Sequence, residues 1–171
     1  MNDDRIRQAI LEHFGRDMIH PIEGEQFGLI GSDPIRCYEN ALFCVEEYGG
    51  AVVHGWAVWT RPEKLWLWLQ HHCIWKTENN ELVDVTPAPT FEDEDERIGF
   101  VIDENLDLEN RTYSFGVTRA YRDSQHILLS KSKRAKEQVA KAKREGWEFR
   151  QHCLRNVKLD LALQNLQAMQ N

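Results

Sequence analysis

Three strand-like segments, 51–60, 65–77 and 81–86, constrain the fold of this chain most strongly. They are rich in tryptophan, leucine, isoleucine and valine. Short polar turns separate them, and the second turn centres on Asn79 and Asn80. Aromatic and branched segments joined by short polar turns are typical of neighbouring antiparallel strands. We therefore predict an antiparallel meander.

Helical patterns lie on both sides of the meander. Apolar residues recur at helical spacing in an N-terminal segment, before the meander and again near the C-terminus. The predicted helices are 3–14, 33–48 and two segments from about residue 121 onwards, with further short strands at 98–102 and 113–117. We expect a single domain over 1–171 of the α+β class. Its core covers about 33–103, and a helical extension covers about 121–171.

Composition excludes several classes of protein. The chain has 171 residues, 42% of them hydrophobic, which is enough for one packed core. Its net charge of -7 argues against a nucleic-acid partner. No apolar run approaches the roughly 20 residues of a membrane helix, and the N-terminus is acidic, unlike a signal peptide. We expect a cytoplasmic protein without a membrane partner, and nothing in the sequence indicates an oligomeric state.

Cys37 is the cysteine whose position suggests chemistry. It falls in the first turn of the helix predicted from Asp33, and the positive end of a helix stabilises a thiolate. The other three cysteines, Cys44, Cys73 and Cys153, lie among apolar residues and are predicted to be structural. No two cysteines have the CxxC spacing of a zinc ribbon.

A histidine and an aspartate on the next two strands complete a candidate catalytic group. His72 lies in the second strand-like segment and Asp84 in the third. A histidine beside a thiolate can protonate the leaving group. A carboxylate can hold the imidazole in one tautomer. The adjacent His71 must point to the opposite face of the strand, so only one of the two histidines can serve Cys37.

Asp84 also has a structural interpretation, as a turn-capping carboxylate that bonds Thr86. A strict two-residue turn would pair Asp84 near Trp75 rather than near His72. Bringing Asp84 to His72 therefore needs a bulge or a longer loop, and both interpretations of Asp84 stay open.

The order of these motifs resembles the papain-like cysteine superfamily, and most closely its transglutaminase-like branch. The segments that carry the resemblance are Arg36-Cys37-Tyr38-Glu39-Asn40, His72-Cys73-Ile74-Trp75 and Val83-Asp84-Val85-Thr86-Pro87. Together with Gly55-Trp56-Ala57-Val58-Trp59, they also resemble small uncharacterised bacterial and phage proteins. The histidine motif has one more residue before its tryptophan than the family pattern, and no tryptophan follows Cys37 directly.

The resemblance implies a papain-like core with a role for each candidate. Cys37 is then the nucleophile, His72 the general base and acid, and Asp84 the orienting group. The backbone amide of Cys37 supplies one oxyanion donor. Candidates for a second donor or for the substrate pocket are Gln26, Asn40, Trp56 and Trp75.

The leading functional hypothesis is a thiol-dependent hydrolase or acyltransferase. Amide or isopeptide cleavage, deamidation and transamidation all pass through one thioester intermediate. The expected substrate is a protein or a peptide-like molecule, and no cofactor is expected. One alternative is a non-catalytic protein-binding module on the same fold. Another is a zinc-binding protein that uses Cys37, His72, Asp84 and His54 as ligands.

Overall fold

The structure is a computed structural model that describes residues 4–24, 37–60, 63–86, 96–113, 116–120 and 122–146. The described helices are α1 (Asp4–Phe14), α2 (Cys37–Tyr48) and α3 (133–146). The strands are β1 (Ile22–Glu23), β2 (Ala51–Thr60), β3 (Trp66–Lys76), β4 (Leu82–Asp84), β5 (Glu96–Ile102), β6 (Glu109–Tyr113), β7 (Gly116–Ala120) and β8 (Gln125–Leu128). The predicted α+β class is confirmed. Among these helices, none has both the length and the apolar character needed to cross a bilayer.

The strands form a mixed sheet of six and a separate hairpin. The sheet order is β1-β4-β3-β2-β5, and β8 also pairs with β3. The predicted meander corresponds to β2, β3 and β4, which pair in antiparallel fashion. The short β1 runs parallel to β4. Strand β5 returns to pair with β2, while β6 and β7 form the hairpin.

Two expectations about the second half of the chain are wrong. The segment predicted as one strand at 113–117 instead contains the end of β6 at Tyr113 and the start of β7 at Gly116, which pair with each other. The helical pattern predicted from residue 121 begins instead with β8, and α3 starts only at residue 133. Strand β8 exists because its backbone bonds to the edge of β3, a long-range contact that local periodicity cannot reveal. Residues 33–36 and the helix predicted beyond 146 lie outside the described residues.

The sheet has two faces with different coverings. Successive side chains of a strand point to opposite faces, and helices α1 and α2 pack on the same face, which we call the helix face. Its core contains Ile6, Ile10, Trp56, Val58, Leu67, Leu69, Val101 and Leu106. At one end of this face, Cys37 and Ala41 of α2 pack against Cys73. His72 and Phe100 lie on the other side of the sheet, which we call the pocket face.

One edge of β3 contains a gap that receives the start of α2. Strand β2 pairs with β3 over almost its whole length. On the other edge, β8 pairs with residues 66–69 and β4 with residues 75–76. Residues 70–74 therefore lack a described strand partner on this edge. The Cys73 N–H donates to Cys37 Sγ at 3.3 Å, so the first residue of α2 takes the place of a strand there.

The loop between β3 and β4 sets which face Asp84 occupies. Thr77 and Glu81 close a loop of three residues, since the Thr77 N–H donates to the Glu81 carbonyl at 2.9 Å. Asn80 takes a left-handed conformation in this loop, with φ of 66°. As a result Trp75 pairs with Val83, whereas a two-residue turn would pair it with Asp84. A one-residue shift reverses the face of every side chain, and it places Asp84 on the pocket face.

Gly55 is the glycine on which the packing of the pocket face depends. A Cβ atom built on Gly55 would collide with the Val101 carbonyl oxygen and the Phe100 ring. The Phe100 ring lies against His72 with its centroid 6.2 Å from that of the imidazole, in an edge-on arrangement. The missing side chain therefore leaves the space in which Phe100 packs beside His72.

We predict that Gly55→Ala lowers the free energy of unfolding by about 1–3 kcal/mol, the usual scale of overpacking in a core. Urea denaturation measures this change. Gly146→Ala is the matched control, because a Cβ there meets nothing within 4 Å and the position is helical. Gly146→Ala should leave the stability unchanged or raise it. Equal stability of wild type and Gly55→Ala would contradict the packing described here.

Candidate active site

Cys37 is the first described residue of α2, and its side chain is enclosed. The residue is 3% exposed and packs with Ala41 and Cys73. Its sulfur accepts the backbone N–H of Cys73 at 3.3 Å. The sulfur is also a hydrogen-bond partner of the Cys73 thiol and of His72. Donors converging on a sulfur at the positive end of a helix favour its thiolate form.

His72 is a hydrogen-bond partner of Cys37. His72 Nε2 lies 2.8 Å from Asp84 Oδ2 in a buried contact. Because Nε2 is engaged with Asp84, Nδ1 is the ring nitrogen left for Cys37. The structure therefore brings together Cys37, His72 and Asp84, the three residues that the sequence motifs select, with His72 between the other two.

The pKa of His72 lies far above its usual value. Burial alone would lower this pKa, because a charged ring is poorly solvated inside a protein. The negative Cys37 sulfur and the hydrogen bonds to Asp84 and Cys37 outweigh burial and raise the pKa of His72 to about 10. His72 is accordingly an imidazolium at neutral pH.

Asp84 satisfies both interpretations at once, with one carboxylate oxygen for each. Oδ1 accepts the Thr86 N–H at 3.0 Å, which is the turn-capping bond. Oδ2 bonds His72 and also accepts Arg97 Nη1 at 2.6 Å. Burial would raise the pKa of Asp84, but the bond to His72, the positive charges of His72 and Arg97 and the Thr86 N–H hold it below its usual value.

The four charged groups of this cluster balance one another. Asp84 is 6% exposed and already has the Arg97 guanidinium as a counter-charge. A protonated His72, also 6% exposed, then needs a second buried anion. Unpaired buried charges are costly, and the Cys37 sulfur, whose negative charge raises the pKa of His72, is placed where a thiolate would supply the balancing charge.

The remaining predicted site residues are distributed around this cluster. Asn40 is half-buried, and its Nδ2 donates to Thr86 Oγ1 at 3.3 Å, which ties α2 to the end of β4. Trp75 lies under α2 and donates through Nε1 to the Gly49 carbonyl at 2.9 Å. Trp56 is in the helix-face core. Gln26 lies outside the described residues.

A pocket of about 180 Å³ opens on the pocket face beside the cluster. His72, Asp84 and Arg97 form its polar side, and Phe100 forms part of its apolar side. The other described residues that line it are His20, Pro21, Glu23, Ala57, Ile98 and Gly99. Cys37 is not among them, so the pocket reaches His72 and Asp84 from the side of the sheet opposite α2.

A second polar cluster occupies the helix face beside Cys37. His54 Nδ1 lies 3.1 Å from His71 Nε2 and 3.3 Å from Cys73 Sγ. His54 Nε2 lies 3.6 Å from Asp107 Oδ1. The three possible ligand atoms of His54, His71 and Cys73 lie within 4.8 Å of one another. His54 is therefore grouped with these residues, rather than with His72 and Asp84 as the zinc hypothesis expects.

The hydrogen bonds of His71 disfavour a metal in this second cluster. The Arg122 backbone N–H donates to His71 Nδ1 at 2.8 Å, so Nδ1 must present its lone pair. Burial and the neighbouring His54 lower the pKa of His71 to about 4, so the ring is neutral and carries its proton on Nε2. A metal among these three residues would need the lone pair of Nε2, which the proton occupies.

Arg97 and Cys73 belong to the site, although they are not among the site residues predicted from the sequence. Arg97 sits on β5 after a register shift between Val58 and Trp59. A single arginine in a charged segment gives no sequence signal of this contact. Cys73 was predicted to be structural. The sequence signal for its place in the site was its position directly after His72, because neighbouring residues of one strand lie close to the same surroundings.

Comparisons of the chain with protein families, with curated proteins and with solved structures give no match.

The contrast between the two neighbouring histidines gives a direct prediction. At pH 7, nitrogen-detected NMR should show the His72 ring protonated on both nitrogens and the His71 ring protonated on Nε2 alone. Since the pKa of His72 is about 10, its ring should become neutral only as the pH rises through that value. Cys37→Ala should lower the pKa of His72, because it removes the partner anion. A neutral His72 at pH 7 in the wild type would contradict this charge assignment.

Proposed function

We propose that the protein is a thiol-dependent hydrolase or acyltransferase that acts on amide or isopeptide bonds of a protein or peptide-like substrate. Cys37 is the nucleophile, His72 the general acid and base, and Asp84 the orienting carboxylate. A distant relation to the papain-like and transglutaminase-like cysteine enzymes is part of the proposal. Its support is the chain order of a helix cysteine, a strand histidine and an aspartate on the next strand.

The observation that carries the proposal is the position of His72 between two acidic partners. Asp84 holds Nε2 at 2.8 Å, and the Cys37 sulfur is the hydrogen-bond partner of the same ring. A cysteine paired with an imidazolium is a nucleophile without further activation.

The first half-reaction forms the thioester. The Cys37 thiolate attacks the carbonyl carbon, and negative charge develops on the carbonyl oxygen. The backbone N–H of Cys37, at the start of α2, is the proposed oxyanion donor. His72 gives its Nδ1 proton to the leaving amine, whose C–N bond breaks, and the thioester remains on Cys37.

The second half-reaction releases the acyl group. Neutral His72 takes a proton from water or from an acceptor amine, which attacks the thioester carbon. The C–S bond then breaks and restores the thiolate–imidazolium pair. Asp84 keeps the proton of Nε2 in place in both halves, so that Nδ1 always faces Cys37. Water gives hydrolysis or deamidation, and an amine gives transamidation.

The test uses p-nitrophenyl acetate as a surrogate acyl donor, because it needs no knowledge of the natural substrate. We expect a burst of nitrophenolate and an acetyl group on Cys37, located by peptide mass spectrometry. Asp84→Asn should slow acetylation by about 10²-fold or more, since the amide can present either group to the ring. Cys37→Ser should abolish the burst.

Cys44→Ser is the matched control for this experiment. Cys44 lies on the same helix and is buried, and its burial raises the pKa of its thiol. Its replacement should leave the burst unchanged. Acetylation of other residues with Cys37 unmodified in the folded protein would overturn the proposal and favour the non-catalytic protein-binding module.

A further inference from the structure

The thiol of Cys73 is in hydrogen-bond contact with the Cys37 sulfur. The Cys73 N–H also donates to Cys37 Sγ at 3.3 Å, so the Cys37 sulfur lies close to the backbone of residue 73. Neither residue is in a disulfide, and both are buried. A disulfide requires two cysteines whose backbones are near each other and whose side chains face each other. Cys37 packs directly against Cys73 in one buried cluster, so the two residues are neighbours across the gap in the edge of β3.

We propose that Cys37 and Cys73 reduce hydroperoxides together and form a reversible disulfide with each other. This second chemistry goes beyond acyl transfer, and it depends only on Cys37 being a reactive thiolate. Hydrogen peroxide or a small organic hydroperoxide is the oxidant, and Cys73 is the resolving thiol.

The first step oxidises Cys37. Its thiolate attacks one oxygen of the peroxide, an S–O bond forms and the O–O bond breaks. Sulfur loses two electrons and the peroxide gains them. The leaving hydroxide, or the alkoxide in the case of an organic hydroperoxide, takes the Nδ1 proton of His72 and departs as water or as the alcohol. Cys37 is then a neutral sulfenic acid, and His72 is neutral.

The second step forms the disulfide. The Cys73 sulfur attacks Cys37 Sγ, the S–S bond forms and the S–O bond breaks. The thiol proton of Cys73 and the sulfenic hydroxyl leave together as water, so atoms and electrons balance. The hydrogen bond to Cys37, burial and the negative charge of the thiolate raise the pKa of Cys73 in the resting protein. Oxidation removes that charge, which makes Cys73 more readily deprotonated at the moment when it is needed.

The second polar cluster keeps Cys73 in position for this step. His54 Nδ1 lies 3.3 Å from Cys73 Sγ, and His54 is itself held by His71. The Arg122 N–H fixes the proton of His71 on the nitrogen that faces His54. Cys44, by contrast, lies seven residues further along α2, about 10 Å along the helix axis, which is too far for a disulfide with Cys37.

The experiment treats the reduced full-length protein with several equivalents of hydrogen peroxide, enough to carry an unprotected sulfenic acid on to sulfinic acid, and then blocks free thiols with N-ethylmaleimide. Peptide mapping should find a cross-linked pair that contains Cys37 and Cys73, with a mass lower by two hydrogens. Dithiothreitol should restore both thiols. Cys73→Ser and Cys73→Ala should lose the cross-link and accumulate sulfinic acid on Cys37, whereas Cys44→Ser should behave as the wild type.

Two results would overturn the inference. One is sulfinic acid on Cys37 of the wild type without a cross-link, and the other is a cross-link from Cys37 to a different cysteine. Mapping of the wild type decides the question even if a Cys73 variant fails to fold. Disulfide formation without acylation by p-nitrophenyl acetate would keep this inference and remove the proposed function, and acylation without the disulfide would do the reverse.

Discussion

The part of β3 that has no described strand partner on one edge is the constraint on which the rest of the site depends. Between its contacts with β8 and β4, this strand leaves residues 70–74 without a described strand partner. An edge N–H needs another acceptor, and the Cys37 sulfur provides it for Cys73. The first residue of α2 is thereby placed at the boundary between the two faces of the sheet. From there Cys37 reaches His72 on one face and the Cys73 thiol on the other.

Asp84 is the group that makes this arrangement rigid. Its two oxygens receive donors from three different parts of the chain, which are His72 on β3, Arg97 on β5 and the backbone of Thr86 after β4. Removing one partner of such a buried cluster typically costs about 3–5 kcal/mol, because the other charges lose their compensation. The carboxylate therefore connects the central strand, an edge strand and a loop, and together with Cys37 it raises the pKa of the imidazole.

Much of the fold could be predicted from local sequence patterns. The bounds of β2 agree with the predicted segment 51–60, β3 is one residue shorter than its prediction at each end, and α1 ends at Phe14 as predicted. The bounds of α1 follow from its apolar spacing, and Gly15 ends it with φ of 69°. Strand β8 could not be predicted, since four residues become a strand only through their pairing with β3.

The site could be predicted in part. Cys37, His72 and Asp84 were selected from residue type and position, and the structure brings them together. The register between β3 and β4 was the part of this prediction that the sequence left open. A left-handed Asn80 lengthens the turn by one residue and moves Asp84 to the face of His72. Arg97 and Cys73 were missed because their roles depend on which strands become neighbours, and a single sequence does not contain that information.

The central claim is that Cys37 is a thiolate at neutral pH because His72 is an imidazolium beside it. The most direct measurement is the ultraviolet absorbance of the thiolate as a function of pH, taken as the difference between wild type and Cys37→Ser. The account predicts a thiolate signal already present at pH 7 in the wild type and strongly reduced at that pH in His72→Gln. A signal that rises only near the free-cysteine pKa of about 8.5 in both proteins would contradict it.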